Sequence, residues 1–168
     1  MRPPLSGLAR QYQDRVSVRY DPSVDALQLQ FDNCRMHSAE EVKAAFDALE
    51  AQVADVLAHI GRGRCALLVD IAGLDIGDGS TQDWGRALRY FLGQFCVQTS
   101  ADHFLIARYN SRAATDQLSP ADIQNAVTSI QIMTEAAIQG FRSNIVRSRE
   151  EAVALILRLR QLAQISGY

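Results

Sequence analysis

The sequence has 168 residues, of which 48% are hydrophobic and 21% are charged, and its formal net charge is −2. These values are typical of one globular domain, and without an overall positive field we expect neither nucleic acid nor a membrane surface as a partner. No segment approaches the roughly 18 apolar residues of a membrane span, and the N-terminus lacks the apolar stretch of a signal peptide, so we expect a cytoplasmic protein.

Residues 1–14 are predicted to be a flexible or loosely docked lead-in to a single domain over residues 15–168. Residues 15–20 and 26–31 alternate polar and apolar side chains with a period of two. The aspartates and Pro22 between these two segments are typical of a turn. The two segments therefore predict a half-exposed antiparallel hairpin.

Helices are predicted where the spacing of apolar residues changes to three and four. A capping box, in which Ser38 accepts from the amide of Glu41 and Glu41 reaches back, begins the first helix, and Gly61 follows its end. Ser148 and Glu151 form a second capping box. The four predicted helices run from Ser38 to Ile60, from Ser80 or Thr81 to Phe95, from Ser119 to Phe141 and from Ser148 towards Leu162.

Short apolar segments between these helices predict the remaining strands. Residues 65–69 are an unbroken apolar run, which is typical of a strand buried on both faces. Residues 103–107 predict a second buried strand, and residues 144–146 are a shorter candidate. The element order is therefore ββαβαβαβα. Because strands that alternate with helices pair in parallel, we predict an α/β fold. Its mixed sheet has an N-terminal antiparallel hairpin, then parallel strands, and about four helices cover it.

The sequence lacks the motifs of several classes of enzyme and metal protein. The cysteines Cys34, Cys65 and Cys96 are odd in number and widely spaced, which is typical of reduced, buried thiols in a cytoplasmic protein. No CxxC or His-x-x-x-His spacing predicts a zinc site. The one lysine, Lys43, is not part of a P-loop, and no serine lies in a Gly-x-Ser-x-Gly elbow. We therefore expect no cofactor and no enzymatic activity, and an enzyme of unrecognised type is the least supported alternative.

Two segments carry a further pattern. Residues 67–80 form a predicted buried strand that ends in Asp70, a short apolar stretch, and a loop rich in aspartate and glycine. Residues 141–152 form a predicted short strand followed by the Glu-Glu-Ala start of a helix. Together with the element order, these segments resemble the STAS domain (sulfate transporter and anti-sigma factor antagonist), in particular its stand-alone SpoIIAA-like branch. The resemblance covers roughly residues 15–163 and implies a regulatory module that acts by protein–protein contact.

The resemblance places the partner-binding face at residues 72–84 and implies an anti-sigma-like factor or a kinase as the partner. In phosphorylated members of the family the acceptor serine directly follows the aspartate, whereas here Gly79 has that position and Ser80 comes one residue later. A phosphoryl group at this helix start would order or rebuild the loop. The alternative is that Ser80 and Thr81 only cap the helix. The residues predicted for this face are Asp75, Asp78, Ser80 and Thr81.

A second group of polar residues follows the predicted strands. Arg108, Asn110, Arg112 and Arg147 are expected near the carboxyl ends of neighbouring parallel strands, where open α/β sheets bind ligands. They are predicted contacts for an anion or for a partner's carboxylate. Ordinary solvated arginines are the simpler alternative.

The second predicted helix suggests an alternative function. Trp84, Tyr90, Phe91 and Phe95 place aromatic side chains on more than one of its sides. The alternative hypothesis is therefore a small-molecule or lipid-binding domain with a pocket between the sheet and the helices. The segment 110–141 is longer than the family usually has there, so it is a candidate homodimer or ligand surface.

Overall fold

A computed structural model describes residues 4–100, 103–114 and 145–165. These residues form an α/β fold whose mixed sheet begins with an antiparallel hairpin and continues with parallel strands, as predicted. The predicted helix from Ser119 to Phe141, and with it most of the longer 110–141 segment, lies outside the described residues. No helix in the described ranges is long and apolar enough to cross a membrane.

The described helices are α1 (Gly7–Tyr12), α2 (Ala39–Ile60), α3 (Thr81–Phe95) and α4 (Arg149–Ile165). The described strands are β1 (Val16–Asp21), β2 (Ala26–Phe31), β3 (Cys34–Met36), β4 (Ala66–Asp70), β5 (Leu74–Ile76), β6 (Gln98–Ser100), β7 (His103–Phe104) and β8 (Ile106–Tyr109). The central sheet has the strand order β1-β2-β4-β8. Beyond it, β3 pairs with β5 in parallel and β6 pairs with β7 antiparallel. A parallel bridge between Arg108 and Ile145 extends the central sheet beyond β8.

Both predicted capping boxes are confirmed. The backbone N–H of Glu41 donates to Ser38 Oγ at 3.1 Å, and the N–H of Glu151 donates to Ser148 Oγ at 3.2 Å. Each glutamate reaches back to the N–H of the residue before the serine, at 3.3 Å and 3.0 Å. Gly61 ends α2 with a left-handed φ of 72°. These helix boundaries are predictable because their hydrogen bonds join residues only three or four positions apart.

The described elements depart from ββαβαβαβα through the helix α1, the extra strands β3, β5 and β6, and a division of the predicted strand 103–107. Within the predicted lead-in 1–14, Ser6 caps α1, and Ala9 and Tyr12 are buried in the core against α2. The extra strands β3 and β5 are three residues each, too short to show a period. The predicted strand 103–107 is divided at Leu105 into β7 and β8, and β8 continues to Tyr109.

The core lies on both faces of the central sheet. Successive strand residues point to opposite faces, so Leu27, Leu67 and Ile106 join the cluster that includes α2 and α3. Their neighbours Ala26, Ala66 and Ala107 join a second cluster, which includes α4. The hairpin was predicted to be half-exposed, but β2 is buried on both faces from Ala26 to Leu29 because it lies between β1 and β4 and α4 covers its second face.

The hairpin turn is held by arginines that come from distant parts of the chain. Arg62, after α2, pairs with Asp25, and Arg149, at the start of α4, pairs with Asp21. Arg160 of α4 donates to two carbonyl oxygens of the turn. These contacts fix α4 across the second face of the sheet and define where its N-terminal end lies.

Candidate functional site

Asp70 joins two loops at the carboxyl edge of the sheet, the side at which β2, β4 and β8 end. It is the last residue of β4 and is only 5% exposed. Its Oδ1 atom accepts from the backbone N–H of Ala72 at 3.1 Å and from that of Ser111 at 3.0 Å. Because buried N–H groups need an acceptor, this one carboxylate holds the loop after β4 against the segment after β8.

Gly73 sets the path of the loop that follows. Its φ is +84°, and a Cβ at this position would lie 2.4 Å from the carbonyl oxygen of Phe31. Its own carbonyl oxygen accepts from the N–H of Cys34 at 2.8 Å, which begins the pairing of β5 with β3. Only a residue without a Cβ fits this close approach, so Gly73 determines where the 72–84 face stands.

One edge of β5 is open within the described part of the chain. The backbone groups of residues 73, 75 and 77 face β3, as the bond from the Gly77 N–H to the Met36 carbonyl oxygen at 3.0 Å shows. In an extended strand the intervening residues direct their N–H and C=O groups to the other side. Ile76 therefore presents its N–H and C=O groups along an edge that no described strand pairs with, and Leu74 presents its C=O group there. The Leu74 N–H donates to the carbonyl oxygen of Ile71 at 3.2 Å.

The two predicted aspartates of this face are exposed. Asp75 Oδ1 lies 2.9 Å from His37 Nε2, and 58% of the Asp75 side chain is accessible. Asp78 begins a short 3₁₀ turn, Asp78–Ser80, and Gly79 beside it has open space around it. The structure therefore places Asp75 and Asp78 where a partner can reach them.

The two predicted hydroxyls differ in accessibility. Ser80 stands at the N-cap position of α3 but makes no side-chain cap bond there, and it is 1% exposed. Thr81 is partly exposed, and its Oγ1 donates to the carbonyl oxygen of Asp78 at 3.3 Å. Phosphorylation of Ser80 would require the 3₁₀ turn to open, whereas Thr81 is accessible as it stands. The phospho-switch stays a prediction.

The four residues predicted as anion contacts do not converge. Arg108 lies inside β8 rather than beyond it and is 3% exposed, because β8 extends past the predicted strand end. Asn110 Oδ1 accepts from the backbone N–H of Arg112 at 3.0 Å. The backbone N–H of Arg147 donates to Glu151 Oε2 in the capping box of α4. An open groove of about 300 Å³ does follow the carboxyl edge, and Arg112 is the one residue of the four among its lining.

This groove carries charges of both signs. Two arginines and three aspartates belong to its lining, so it does not offer an anion a uniformly positive environment. The five residues are Arg15, Arg112, Asp14, Asp32 and Asp70.

A small apolar cavity lies between the sheet and helices α2 and α3, where the alternative hypothesis expects a pocket. Its volume is about 40 Å³. Arg108 is the one charged residue in its lining, because it pairs with Val69 in register and faces the same side of the sheet. Representative apolar lining residues are Leu29, Phe46, Val69, Trp84, Phe91 and Ile106.

A polar cluster on the opposite face of the sheet was not expected from the sequence. Arg149 Nε donates to Gln28 Oε1 at 3.1 Å, and the same arginine pairs with Asp21. Gln28 is 7% exposed although it lies in an alternating strand whose polar side was predicted to face solvent. Burial raises the pKa of Tyr109, with the charge of Asp70 as a smaller cause. A glutamine between two leucines is the only local signal, and it does not reveal that α4 covers it.

No family model, no curated protein and no solved structure matches this chain. The STAS resemblance therefore stays a prediction. Among the described residues, no group of three or more histidine, cysteine, aspartate or glutamate side chains is arranged to hold a metal ion.

Proposed function

We propose that this chain is a non-enzymatic interaction module that binds a partner protein through the 72–84 face. The observation that carries the proposal is the open edge of β5, with the exposed carboxylates Asp75 and Asp78 on and beside it. An exposed strand edge is a template on which an extended segment of another protein can add as a further strand.

The side chains of β5 indicate the chemistry of that segment. Leu74 and Ile76 are half-buried and pack against the core, whereas Asp75 lies on the opposite side of the strand. An added strand has its side chains in the same alternation. We therefore expect a partner segment with apolar residues beside Leu74 and Ile76 and a basic residue beside Asp75.

Charge complementarity favours a basic segment further along the same face. Asp78 follows β5 and is exposed, and Asp83 lies in the first turn of α3. Charges at the rim of an interface mainly raise the association rate and make it depend on salt. Binding should therefore weaken at high ionic strength. An anti-sigma-like factor or a kinase is the partner class that the STAS resemblance suggests.

The experiment is site-specific photo-crosslinking in the native host. A photoreactive residue replaces Gly79, which is exposed and has no heavy atom within 4 Å of where a Cβ would stand. We expect a discrete covalent adduct with a partner protein. Ile76→Pro, which removes an outward N–H without removing a bond to β3, should reduce the adduct about tenfold, the loss expected for about 1.4 kcal/mol. The double variant Asp75→Arg with Asp78→Arg should also reduce the adduct about tenfold.

Two control variants are available. Ile76→Val keeps the outward N–H, and Asp55→Arg reverses an exposed charge on α2. Both should leave the adduct at its original level. An adduct that persists in Ile76→Pro and in the double aspartate variant would refute the β5 edge as the binding site. The absence of any adduct through all growth phases would refute the interaction function itself.

A further inference from the structure

We infer that the outer edge of β1 is the site at which a second copy of this chain pairs, so that the two copies form one continuous sheet. β1 is the end strand in the order β1-β2-β4-β8, and among the described residues no strand pairs with its outer edge. This inference goes beyond the proposed partner binding and does not depend on it, because the proposed partner face lies along β5, in a different sheet.

The hydrogen bonds between β1 and β2 show which backbone groups of β1 point outward. The Asp32 N–H donates to the Arg15 carbonyl oxygen at 2.9 Å, and the strands pair antiparallel without a shift in register. In such a pair every second residue bonds across the ladder, so the odd-numbered residues of β1 bond to β2. Val16, Val18 and Tyr20 therefore direct their N–H and C=O groups away from β2, along the outer edge.

Two helices lie near β1 without pairing with it. Gln52 of α2 donates through Nε2 to the Val16 carbonyl oxygen at 3.0 Å, which confirms that this group points outward and leaves it a second lone pair. The helix α1, which precedes β1, packs against α2. In the described part of the chain, the outward N–H groups of Val16, Val18 and Tyr20 have no partner. A strand edge of this kind is a template for a further strand.

The edge is complementary to an identical edge that lies antiparallel to it about a two-fold axis. With the axis at Val18, this residue exchanges both hydrogen bonds with its own copy, and Val16 exchanges them with Tyr20 of the partner subunit. All the outward backbone groups are then paired. An axis at Val16 or at Tyr20 would leave the residue at the other end of β1 unpaired, because the position opposite it would lie beyond the strand.

The charges along β1 also select the axis at Val18. This axis places Arg15 opposite Asp21 of the partner subunit and Ser17 opposite Arg19 of the partner subunit. An axis at Ser17 would place Arg15 opposite Arg19 of the partner subunit, and an axis at Arg19 would place this arginine opposite its own copy. Like charges directly opposite each other destabilise a strand pair. Asp21 is already paired within its own chain, so its contact with Arg15 sets the register rather than the affinity.

Disulfide cross-linking of the full chain tests the register. Across the axis at Val18, Ser17 and Arg19 of the partner subunit form a pair without mutual hydrogen bonds, whose Cα atoms are about 4.5 Å apart, a distance that a disulfide spans. The variants Ser17→Cys and Arg19→Cys are mixed and oxidised with diamide. We expect a covalent dimer from the mixture and none from either variant alone, because each residue is about 7–8 Å from its own copy on the diagonal. The three native cysteines are buried and do not compete.

Sedimentation equilibrium of the full chain measures the Kd of the dimer and its response to charge. Ser17 is exposed, so its replacement does not disturb the core. Ser17→Glu places a carboxylate opposite Arg19 of the partner subunit in both halves of the dimer and should lower the Kd about fivefold. Ser17→Arg should raise the Kd by a similar factor. Gln161→Glu and Gln161→Arg make the same changes at an exposed residue of α4 and should leave the Kd unchanged.

A wild-type chain that sediments as a monomer at every concentration up to its solubility limit would overturn the inference. Protection of the Val18 and Tyr20 N–H groups from hydrogen exchange in such a monomer would assign the edge to another segment of the same chain. Covalent dimers that form equally in the mixture and from either cysteine variant alone would also overturn it, because the copies would then meet elsewhere. These measurements use no partner protein, so their outcome is separate from that of photo-crosslinking at Gly79.

Discussion

Replacing Gly73 by alanine tests whether a single close approach positions the 72–84 face. The glycine has a φ of +84°, in the region where an L-residue is strained by about 1–2 kcal/mol. The new Cβ would stand 2.4 Å from the Phe31 carbonyl oxygen and 3.0 Å from its carbon. Both are backbone atoms, so no side-chain rotation relieves the contact.

The expected loss of stability follows from these two terms. Moving the loop away from Phe31 costs about 1–3 kcal/mol, the range for overpacked sites. The lower chain entropy of alanine in the unfolded state offsets about 0.4–1 kcal/mol of this loss of stability. The net loss is therefore about 2–4 kcal/mol, a large part of the roughly 5–15 kcal/mol that stabilises a typical domain. The bond from Cys34 to the Gly73 carbonyl oxygen, 2.8 Å long, should lengthen or break.

The assay is equilibrium unfolding in urea followed by the fluorescence of the single tryptophan, Trp84, which is buried. With a slope of about 2 kcal/mol per molar urea, the midpoint should fall by about 1–2 M. Gly79→Ala is the matched control in the same loop, because its Cβ meets no atom within 4 Å. Its midpoint should change by a few tenths of a molar at most. Equal midpoints for Gly73→Ala and the wild type, with equal slopes, would refute the argument.

Three further predictions follow from the same contacts. Asp70→Ala leaves two backbone N–H groups without their acceptor, so it should lower the free energy of unfolding in urea by about 2–4 kcal/mol. Asp70→Asn keeps an acceptor oxygen and should lower it clearly less. Equal losses in the two variants would contradict the role of this side chain in joining the two loops. Burial alone would raise the pKa of Asp25, but hydrogen bonds from Tyr20 and Arg62 lower it below 3.8. The charged Asp25 therefore stabilises the fold fully above about pH 4, and this stabilisation is lost as the pH falls through its folded-state pKa. The free energy of unfolding of Asp25→Asn should depend less steeply on pH below about 4 than that of the wild type. An unchanged slope would contradict the assignment. Burial raises the pKa of Cys34 to about 11 and also raises the pKa of Cys65 and of Cys96. A thiol reagent at about pH 8 should therefore react with none of the three cysteines in the native protein and with all three in urea. Rapid labelling of the native protein would contradict their burial.

The candidate site was only partly predictable. Asp75 and Asp78 were expected on an accessible loop. Both are exposed, but Asp75 lies in the strand β5, and only Asp78 lies in a turn. The open edge of β5 was not expected, since a strand of three residues shows no period. The burial of Ser80 was not expected either, because it depends on how the 3₁₀ turn packs in the tertiary structure.

Features that depend on neighbours in the sequence were correctly predicted. These features are the capping boxes at Ser38 and Ser148, which join residues a few positions apart, and the antiparallel pairing of the hairpin, whose strands face each other across one turn. Their hydrogen bonds and side-chain periods are properties of the local backbone, so a short stretch of sequence specifies them.

Features that depend on packing between distant segments were not correctly predicted from the sequence. Gln28 is buried because α4, more than one hundred residues later, lies over β2 and brings Arg149 to it. Arg108 lies among the residues around the apolar cavity because β8 pairs with β4 in a register that places it beside Val69. The residues that surround a side chain determine its burial and charge environment, and these surroundings exist only once the sheet and its two helix layers have come together.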